Sequence, residues 1–223
     1  MHKVMICPDY HAPWSDIDKI CEFYAAVERE KPTHIIQIGD AADFLAHSKF
    51  ARSHDECTPK EEVGEAIEFI KNFWISCKKL AKKAECIQLL GNHENRLSRR
   101  IYERYPEIAS LVDQKSLFTF QGVTTIHDAR EWVEINDVIY CHGFFSKLGD
   151  HVKYFQKSVV RGHSHRAGVV FFNQYKKILF EMECGYLADP NSVAMSYTST
   201  KRTNWVHGYG LVDSHGPRFI PIV

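Results

Sequence analysis

This chain of 223 residues lacks the features that mark membrane, secreted and strongly polyanion-binding proteins. No apolar run approaches the roughly 18 residues of a membrane-spanning helix, and no signal-peptide segment precedes the first strand-like run, Val4 to Cys7. The 28 basic residues equal the 28 acidic ones, so no overall field draws the chain toward nucleic acid or anionic membranes. We therefore expect a soluble cytoplasmic protein with no membrane partner.

A cysteine framework is also missing. The seven cysteines are odd in number, show no C-x-x-C spacing and mostly lie in apolar segments, where a reduced thiol behaves as a small hydrophobe. Neither a disulfide scaffold nor a structural Cys-type zinc site is expected. Cysteines that stay reduced indicate a protein of the reducing cytosol. The length suffices to bury a sizeable core, and residues 1–223 are expected to form one domain.

The first half of the chain alternates strand-like and helix-like patterns. Strands are predicted at residues 3–7, 34–38 and 85–90. Ser15 and Asp18 read as a capping box that opens a helix, and Thr58 to Glu61 reads as a cap for a longer one. The apolar face predicted for the first helix comprises Ile17, Ile20, Cys21, Tyr24 and Val27. Such alternation implies right-handed crossovers and a mostly parallel sheet.

From about residue 117 onward the pattern becomes mainly β. Short runs at 124–126, 132–135, 138–141, 169–172 and 178–182 are separated by turn residues. The expected fold class is α/β, with two sheets packed face to face as a sandwich and helices outside.

Five short apolar runs are each followed at once by residues that bind divalent cations. In chain order these blocks are Asp9-Tyr10-His11, Gly39-Asp40, Gly91-Asn92-His93-Glu94, His142-Gly143 and Gly162-His163-Ser164-His165. One strand end supplies only one or two ligands, so a centre of two metals must be assembled from several strand ends. A single His or Asp beside a strand is usually a turn residue, but the joint pattern favours a two-metal phosphoesterase.

The residue types suggest how the ligands divide. Asp40 is the natural bridge, Asp9 and His11 suit one ion, and Asn92 offers an amide oxygen to the other. His142 and the pair His163 and His165 would complete both sets of ligands. Nitrogen and oxygen donors without thiolate suit two divalent ions of Mn, Fe, Ni, Co or Zn, with Mn²⁺ the first choice.

The five blocks resemble those of the calcineurin-like metallophosphoesterase family, namely D-x-H, G-D-x-x-D, G-N-H-[DE], a lone His and G-H-x-H, over residues 9–165. The resemblance implies a four-layer α/β/β/α fold with two mixed β-sheets. It implies one metal on Asp9, His11, Asp40 and His165, and a second metal on Asp40, Asn92, His142 and His163. It also implies that His93 is the catalytic histidine, and that Asp43 and Glu94 orient the ligands or His93.

Two departures bear on the substrate. Phe44 and Leu45 occupy the positions after the second block where protein phosphatases of the family carry a phosphate-binding arginine. The segment that begins at Asn95 resembles small phage and bacterial phosphoesterases described as exonuclease-like. Arg96 is therefore a candidate substrate ligand, whereas Arg99, Arg100 and Arg104 would ordinarily be a solvated helix face.

The sequence leaves two possible roles open for each of two segments and for the histidines outside the blocks. Residues 47–56 form either a loop that gates the site or a plain connection. The aromatic residues of segments 185–190 and 204–210 line a base-stacking pocket or pack against strands. The histidines outside the blocks, His151 among them, are expected at the surface or in supporting positions.

The sequence thus predicts a dinuclear metal-dependent enzyme that hydrolyses phosphodiesters, with nucleotides or nucleic acid as candidate substrates. A phosphomonoesterase acting on nucleotides, small metabolites or phosphoproteins remains the alternative, because His93 is compatible with both reactions. A non-catalytic scaffold is the third interpretation, but such a protein would be expected to lose ligands, and this chain retains them all.

Overall fold

The computed structural model describes residues 2–48, 57–111, 113–198 and 204–223. Its helices are α1 (Ile17–Glu30), α2 (Pro59–Leu80), α3 (Asn95–Arg104), α4 (Gln114–Leu117) and α5 (Asp150–Phe155). Its strands are β1 (Val4–Cys7), β2 (His34–Gln37), β3 (Glu85–Leu89), β4 (Thr124–Ile126), β5 (Trp132–Ile135), β6 (Val138–Cys141), β7 (Ser158–Arg161), β8 (Ala167–Gln174), β9 (Lys177–Cys184), β10 (Gly208–Asp213) and β11 (Gly216–Pro221). Short 3-10 helices cover Leu45–His47, Pro106–Leu111 and Val193–Thr198. In the described ranges, no helix combines the length and the apolar character needed to cross a bilayer.

The first sheet has the strand order β11-β10-β1-β2-β3-β4. Strands β1 to β4 run parallel, as the alternating pattern predicts, and β10 and β11 extend the sheet in antiparallel fashion beside β1. The parallel strands β1, β2 and β3 are buried almost throughout, which is expected of a sheet covered on both faces.

The second sheet has the order β5-β6-β7-β9-β8. Strands β6, β7 and β9 are parallel, while β5 and β8 pair antiparallel at the two edges. The two apolar runs predicted at 169–172 and 178–182 lie inside the longer hairpin of β8 and β9. Both sheets are therefore mixed, as expected.

Three apolar clusters stack the layers in the predicted order. The first packs α1 and α2 against the first sheet through residues such as Phe23, Phe73 and Ile35. The second fills the space between the sheets, and the third packs Val152 of α5 against Ile139 on the outer face of the second sheet. The four-layer α/β/β/α sandwich is thereby confirmed.

Two local predictions for α1 were wrong. The N-cap is Asp16, whose carboxylate accepts a hydrogen bond from the backbone N–H three residues later. The Ser15 hydroxyl donates to a preceding backbone carbonyl and is not free to cap. The helix therefore turns Ile17 and Cys21 toward solvent, while Phe23 is fully buried.

The start of α2 was predicted correctly. Thr58 and Glu61 form a reciprocal capping box, with Pro59 at the first helical position. Residues 49–56, which make up most of the predicted gating segment, lie outside the described residues.

The carboxyl ends of five parallel strands bring the five sequence blocks to one edge of the sandwich. Blocks one to three follow β1, β2 and β3, which are neighbours in the first sheet. Blocks four and five follow β6 and β7, which are neighbours in the second sheet. Because the sheets pack face to face, these ends converge on one crevice.

Candidate metal centre

The first group of side chains at this edge is Asp9, His11 and His165, all fully or almost fully buried. Their candidate ligand atoms lie within 4.8 Å of one another. His11 Nε2 is 2.9 Å from His165 Nε2, which is itself 3.4 Å from Asp9 Oδ2. His11 Nδ1 lies 3.0 Å from the acceptor Asp43 Oδ1, so Nδ1 carries the ring hydrogen and the Nε2 lone pair faces the group.

The second group is Asp40, His142 and His163, with ligand atoms again within 4.8 Å. His142 Nδ1 donates to the carbonyl oxygen of Ile38 at 3.1 Å. This bond turns His142 Nε2 toward two oxygens, Asp40 Oδ2 at 3.2 Å and Asn92 Oδ1 at 3.1 Å. Asn92 therefore lies beside this group.

His93 lies between the two groups. It forms a third set of close donors with His11 and Asp40, and its Nε2 is 3.7 Å from Asp40 Oδ2. Its Nδ1 donates to Asp43 Oδ1 at 2.8 Å, so one carboxylate orients both His11 and His93. The backbone N–H of His93 also donates to Asp40 Oδ1 at 2.9 Å.

Arg96 joins the same cluster from the first turn of α3. Its Nη1 donates to the carbonyl and the carboxylate of Asp43 at 2.9 and 3.1 Å, and its Nη2 lies 2.9 Å from His93 Nε2. Arg96 therefore lies against Asp43, the residue that closes the second block. Arg99, by contrast, is exposed on α3.

The buried carboxylates set the electrostatics. Burial disfavours the charged form of His142, but Asp40 outweighs it and raises the pKa of His142 to about 9. Burial and the neighbouring His93 lower the pKa of His11 to about 4, which keeps its imidazole neutral at pH 7. Burial opposes ionisation of Asp43, yet His93 and His11 hold the pKa of that carboxyl well below its usual range.

Glycines in the blocks leave room for ligands from other blocks. A Cβ on Gly91 would collide with Asp40 Oδ1 and lie 2.5 Å from the Asp40 backbone nitrogen. A Cβ on Gly162 would collide with Asp9 Oδ1. The glycines of the G-N-H and G-H-x-H patterns therefore permit the close approach of strand ends.

Glu94 holds the backbone beneath the site. Its Oε2 accepts from the backbone nitrogens of Gly91 and Asp40 at 2.7 and 3.2 Å, and its Oε1 accepts from Ala42 at 2.9 Å. The carboxylate thereby fastens the second block to the third, in the orienting position that the resemblance implies.

Aromatic residues from the C-terminal third surround His165. The Tyr186 ring stacks on His165 with 5.3 Å between ring centroids, and the Trp205 ring lies edge-on at 4.4 Å. Strand-like bridges place Tyr186 beside Asp9 and His207. Tyr186 and Trp205 therefore pack against the His165 ring beside strand-like bridges, which favours packing over a base-stacking pocket.

Three buried side-chain atoms at the site find no hydrogen-bond partner among the described residues: Asp9 Oδ1, His163 Nδ1 and His165 Nδ1. Leaving such an atom unpaired is costly in a protein interior, and a cation bound by the first group would satisfy Asp9 Oδ1. The donors are imidazole nitrogens, carboxylate oxygens and one amide oxygen, with no thiolate among them. The residues present therefore fit divalent transition metals.

Comparison with known proteins agrees with this geometry. Residues 2–194 match the calcineurin-like phosphoesterase family. YfcE, a phosphoesterase from E. coli, has a similar solved structure, with 14% identity, a TM-score of 0.50, and coverage of 98% of this chain and 92% of that chain. Vps29 from Chaetomium thermophilum aligns with 10% identity and a TM-score of 0.44 over 97% of this chain and 81% of that chain. No curated protein sequence matches the chain significantly. The chain belongs to the calcineurin-like phosphoesterase family and is a metal-dependent phosphoric ester hydrolase.

Proposed function

We propose that this chain is a single-domain, cytoplasmic phosphodiesterase whose site holds two divalent cations. One cation would bind Asp9, His11, Asp40 and His165, and the other Asp40, Asn92, His142 and His163. The observation that supports the proposal is the gathering of two groups, Asp9/His11/His165 and Asp40/His142/His163, each of which contains three of the four residues in one expected set of ligands. The nitrogen and oxygen donors favour Mn²⁺, with Fe, Ni, Co and Zn as alternatives.

Two bound cations would polarise the phosphoryl oxygens and make the attacking water more acidic. The protein's own contribution is orientation. Asp43 and the Ile38 carbonyl fix the ring hydrogens of His11 and His142 on Nδ1, so both rings present Nε2 to the site.

His93 is proposed to act on the leaving group. Its Nδ1 is anchored on Asp43, and its Nε2 accepts a hydrogen bond from Arg96 Nη2 at 2.9 Å. A phosphate oxygen that engages Arg96 would release Nε2 to hold a proton and deliver it to the departing oxygen. Burial works against the charged ring, but Asp40 and Asp43 raise the pKa of His93 and so favour the protonated form.

Arg96 is proposed to contact a non-bridging phosphate oxygen. Its guanidinium is part-buried beside Asp43 and His93, close enough to the candidate ligands to meet a phosphate held there. A planar guanidinium binds phosphate bidentately, a geometry that an ammonium group does not reproduce.

The preference for diesters, with nucleotides or nucleic acid as the substrate class, rests on the surroundings of Arg96. Phe44, which replaces the phosphatase arginine, is fully buried. Helix α3 carries Arg99, Arg100 and Arg104 along a depression that His47, Ser48 and Glu103 also line, and Arg99 Nε lies 4.0 Å from Glu103 Oε1. This basic face would follow the backbone of a nucleotide or oligonucleotide.

Hydrolysis of a bis-aryl phosphate diester and of its monoester, each with Mn²⁺, tests the reaction class. We expect a higher kcat/KM on the diester. Faster hydrolysis of the monoester would make the chain a phosphomonoesterase, with nucleotides, metabolites and phosphoproteins as the substrates to try.

Salt dependence on oligonucleotides tests the substrate class. Replacing Arg99 and Arg100 with Ala should weaken oligonucleotide binding and flatten its dependence on salt, because fewer counterions are released. A matched control replaces Lys82 and Lys83 with Ala. These two exposed residues precede β3, so they lie at the amino end of the strand, whereas the site lies at the carboxyl end. Equal salt slopes for both double variants would exclude nucleic acid as the substrate and leave small phosphodiesters.

A further inference from the structure

Directly behind the fifth block lies a group of polar residues, of which only Ser164 belongs to a block. We call the group the Arg161 network: His151, Arg161, Ser164, Glu181 and Glu183. The side chains of His151, Arg161, Glu181 and Glu183 are buried almost completely. They come from α5, β7 and β9, so three elements converge on this point.

One end of the network holds the loop that follows His142. His151 Nε2 accepts hydrogen bonds from the backbone nitrogens of Phe144 and Phe145 at 3.0 and 3.3 Å. Its Nδ1 therefore carries the ring hydrogen and donates it to Glu181 Oε1 at 3.1 Å. His151 thus fixes the backbone two and three residues beyond a candidate metal ligand.

The other end holds the loop that carries His163 and His165. Arg161 Nε donates to Glu181 Oε1 at 2.8 Å, and its Nη1 and Nη2 donate to the two oxygens of Glu183 at 2.9 and 3.2 Å. Glu183 in turn accepts from the Ser164 hydroxyl, and Arg161 Nη1 also donates to the Gly162 carbonyl at 3.2 Å. Ser164 stands between the two histidines of the block, so this contact reaches the centre of the loop.

The hydrogen bonds therefore form a continuous path from the 142–145 loop to the 162–165 loop. Stability alone does not account for such a path, because burying ion pairs is costly and apolar replacements are often equally stable. A fully satisfied polar network does, however, fix side chains and backbone in one arrangement. Groups that orient metal ligands in this way change metal affinity without touching the metal.

We propose that the Arg161 network is a positioning unit that fixes the fourth block relative to the fifth and so sets the affinity of the site for divalent cations. The proposal rests on the proposed function, since it takes His142, His163 and His165 as ligands. The network residues do not contact substrate in this scheme. They act through the backbone of the two loops.

Ser164→Ala tests the unit with the smallest change, because it removes one hydroxyl and leaves the Arg161 ion pairs intact. The measurement is titration of the metal-free protein with Mn²⁺ by calorimetry. We expect the Kd for Mn²⁺ to rise by about 10-fold or more, the usual effect of losing a group that orients ligands. Ser164→Thr, which keeps the hydroxyl, should restore most of the affinity.

Ser158→Ala is the matched control. Ser158 is the buried first residue of β7 and accepts a hydrogen bond from the Phe180 backbone of β9, but it lies at the opposite end of the strand from the site. It should leave the Kd within about twofold of the wild-type value, because no metal ligand depends on it. Thermal unfolding of the metal-free proteins reports the purely structural cost of both changes.

A double-mutant cycle tests whether the path is continuous. His151→Leu and Ser164→Ala alter opposite ends of the network, so their effects on Kd should not multiply. The double variant should fall short of the product of the two single effects by at least about threefold. Independent effects would show that the ends act separately and would overturn the proposal of one unit.

The outcomes separate this proposal from the one on which it rests. Wild-type protein that binds no Mn²⁺, or His142→Ala protein that binds it unchanged, would remove the proposed metal centre and this proposal with it. Tight binding by the wild type, with an unaltered Kd in Ser164→Ala, would overturn the positioning role alone. A lower unfolding temperature with an unaltered Kd would show that the network serves stability only.

Discussion

Replacement of Gly91 by Ala is expected to disable the site through a single methyl group. The added Cβ would collide with Asp40 Oδ1, and it would lie 2.5 Å from the Asp40 backbone nitrogen and 2.8 Å from His142 Cε1. Ordinary contacts of this kind begin at 3.4 Å. Asp40 or the strand end that carries it must therefore move by about 0.9 Å.

The cost follows from what Asp40 holds in place. Its Oδ1 accepts from the His93 backbone, and its Oδ2 faces His142 Nε2. Overpacking at a buried position destabilises a protein by about 1–3 kcal/mol. A misplacement of about 1 Å within a catalytic site lowers activity by about 100-fold. We expect both effects, together with weaker binding of Mn²⁺.

Gly64→Ala is the control, because it adds the same methyl group at an exposed position in the second turn of α2, with no atom within 4 Å. It should raise the free energy of unfolding by about 0.4–1 kcal/mol and leave activity unchanged. Urea unfolding, phosphoesterase kinetics and metal titration of both variants provide the comparison. Wild-type activity and metal content in Gly91→Ala would refute the close packing of the second and third blocks.

Three further predictions concern individual side chains. His93→Ala should lower kcat by roughly 10²- to 10⁴-fold with metal content retained; loss of metal, with activity recovered in excess metal, would instead make His93 a ligand. Arg96→Lys should lower kcat/KM on the diester while the Kd for Mn²⁺ stays constant, and an unaltered kcat/KM would remove Arg96 from substrate binding. Burial opposes ionisation of Glu181, but His151 and Arg161 lower its pKa from 4.5 to about 2. Because the folded-state pKa is the lower one, Glu181 should contribute about 3 kcal/mol of stability above pH 4.5, and this contribution should disappear as the pH falls toward 2. Urea unfolding should show the difference between wild type and Glu181→Gln narrowing over that window, whereas a constant difference would contradict the shifted pKa.

The parts of the structure that the sequence predicts are those with local signals. Five parallel strands (β1, β2, β3, β6 and β7) are short apolar runs that each end in a block of chemically distinctive residues, so these strands and the candidate ligands could be located together. The capping box at Thr58 is equally local. In α1 two overlapping caps compete, and the hydrogen bond of Ser15 to Tyr10 decides between them.

The C-terminal strands gave a weaker signal. Gly208 and Gly210 interrupt the apolar pattern of β10, and glycine is ordinarily unfavourable inside a strand. The structure explains Gly210, since a Cβ there would lie 2.7 Å from Cys184 Sγ in the opposite sheet. A requirement set by packing between two sheets is not visible from the neighbouring residues alone.

The local sequence pattern also did not predict the buried contacts that support the candidate ligands. Asp43 and Glu94 could be assigned supporting roles through the blocks that contain them, but Glu181 and Glu183 lie in a plain strand run. Their partner Arg161 directly precedes the fifth block and shows no periodicity of its own. These residues meet only because β7 and β9 are paired in the second sheet.

The metal content of Asp40→Asn protein measures most directly whether Asp40 joins two cations in one centre. Elemental analysis after loading with Mn²⁺ should find two ions per wild-type chain and the same in Asp18→Asn, an exposed control in the first turn of α1. Asp40→Asn should lose both ions while keeping the circular dichroism of the folded protein. Full retention of two ions in Asp40→Asn would contradict the shared ligand and, with it, the two-metal centre proposed for this phosphoesterase.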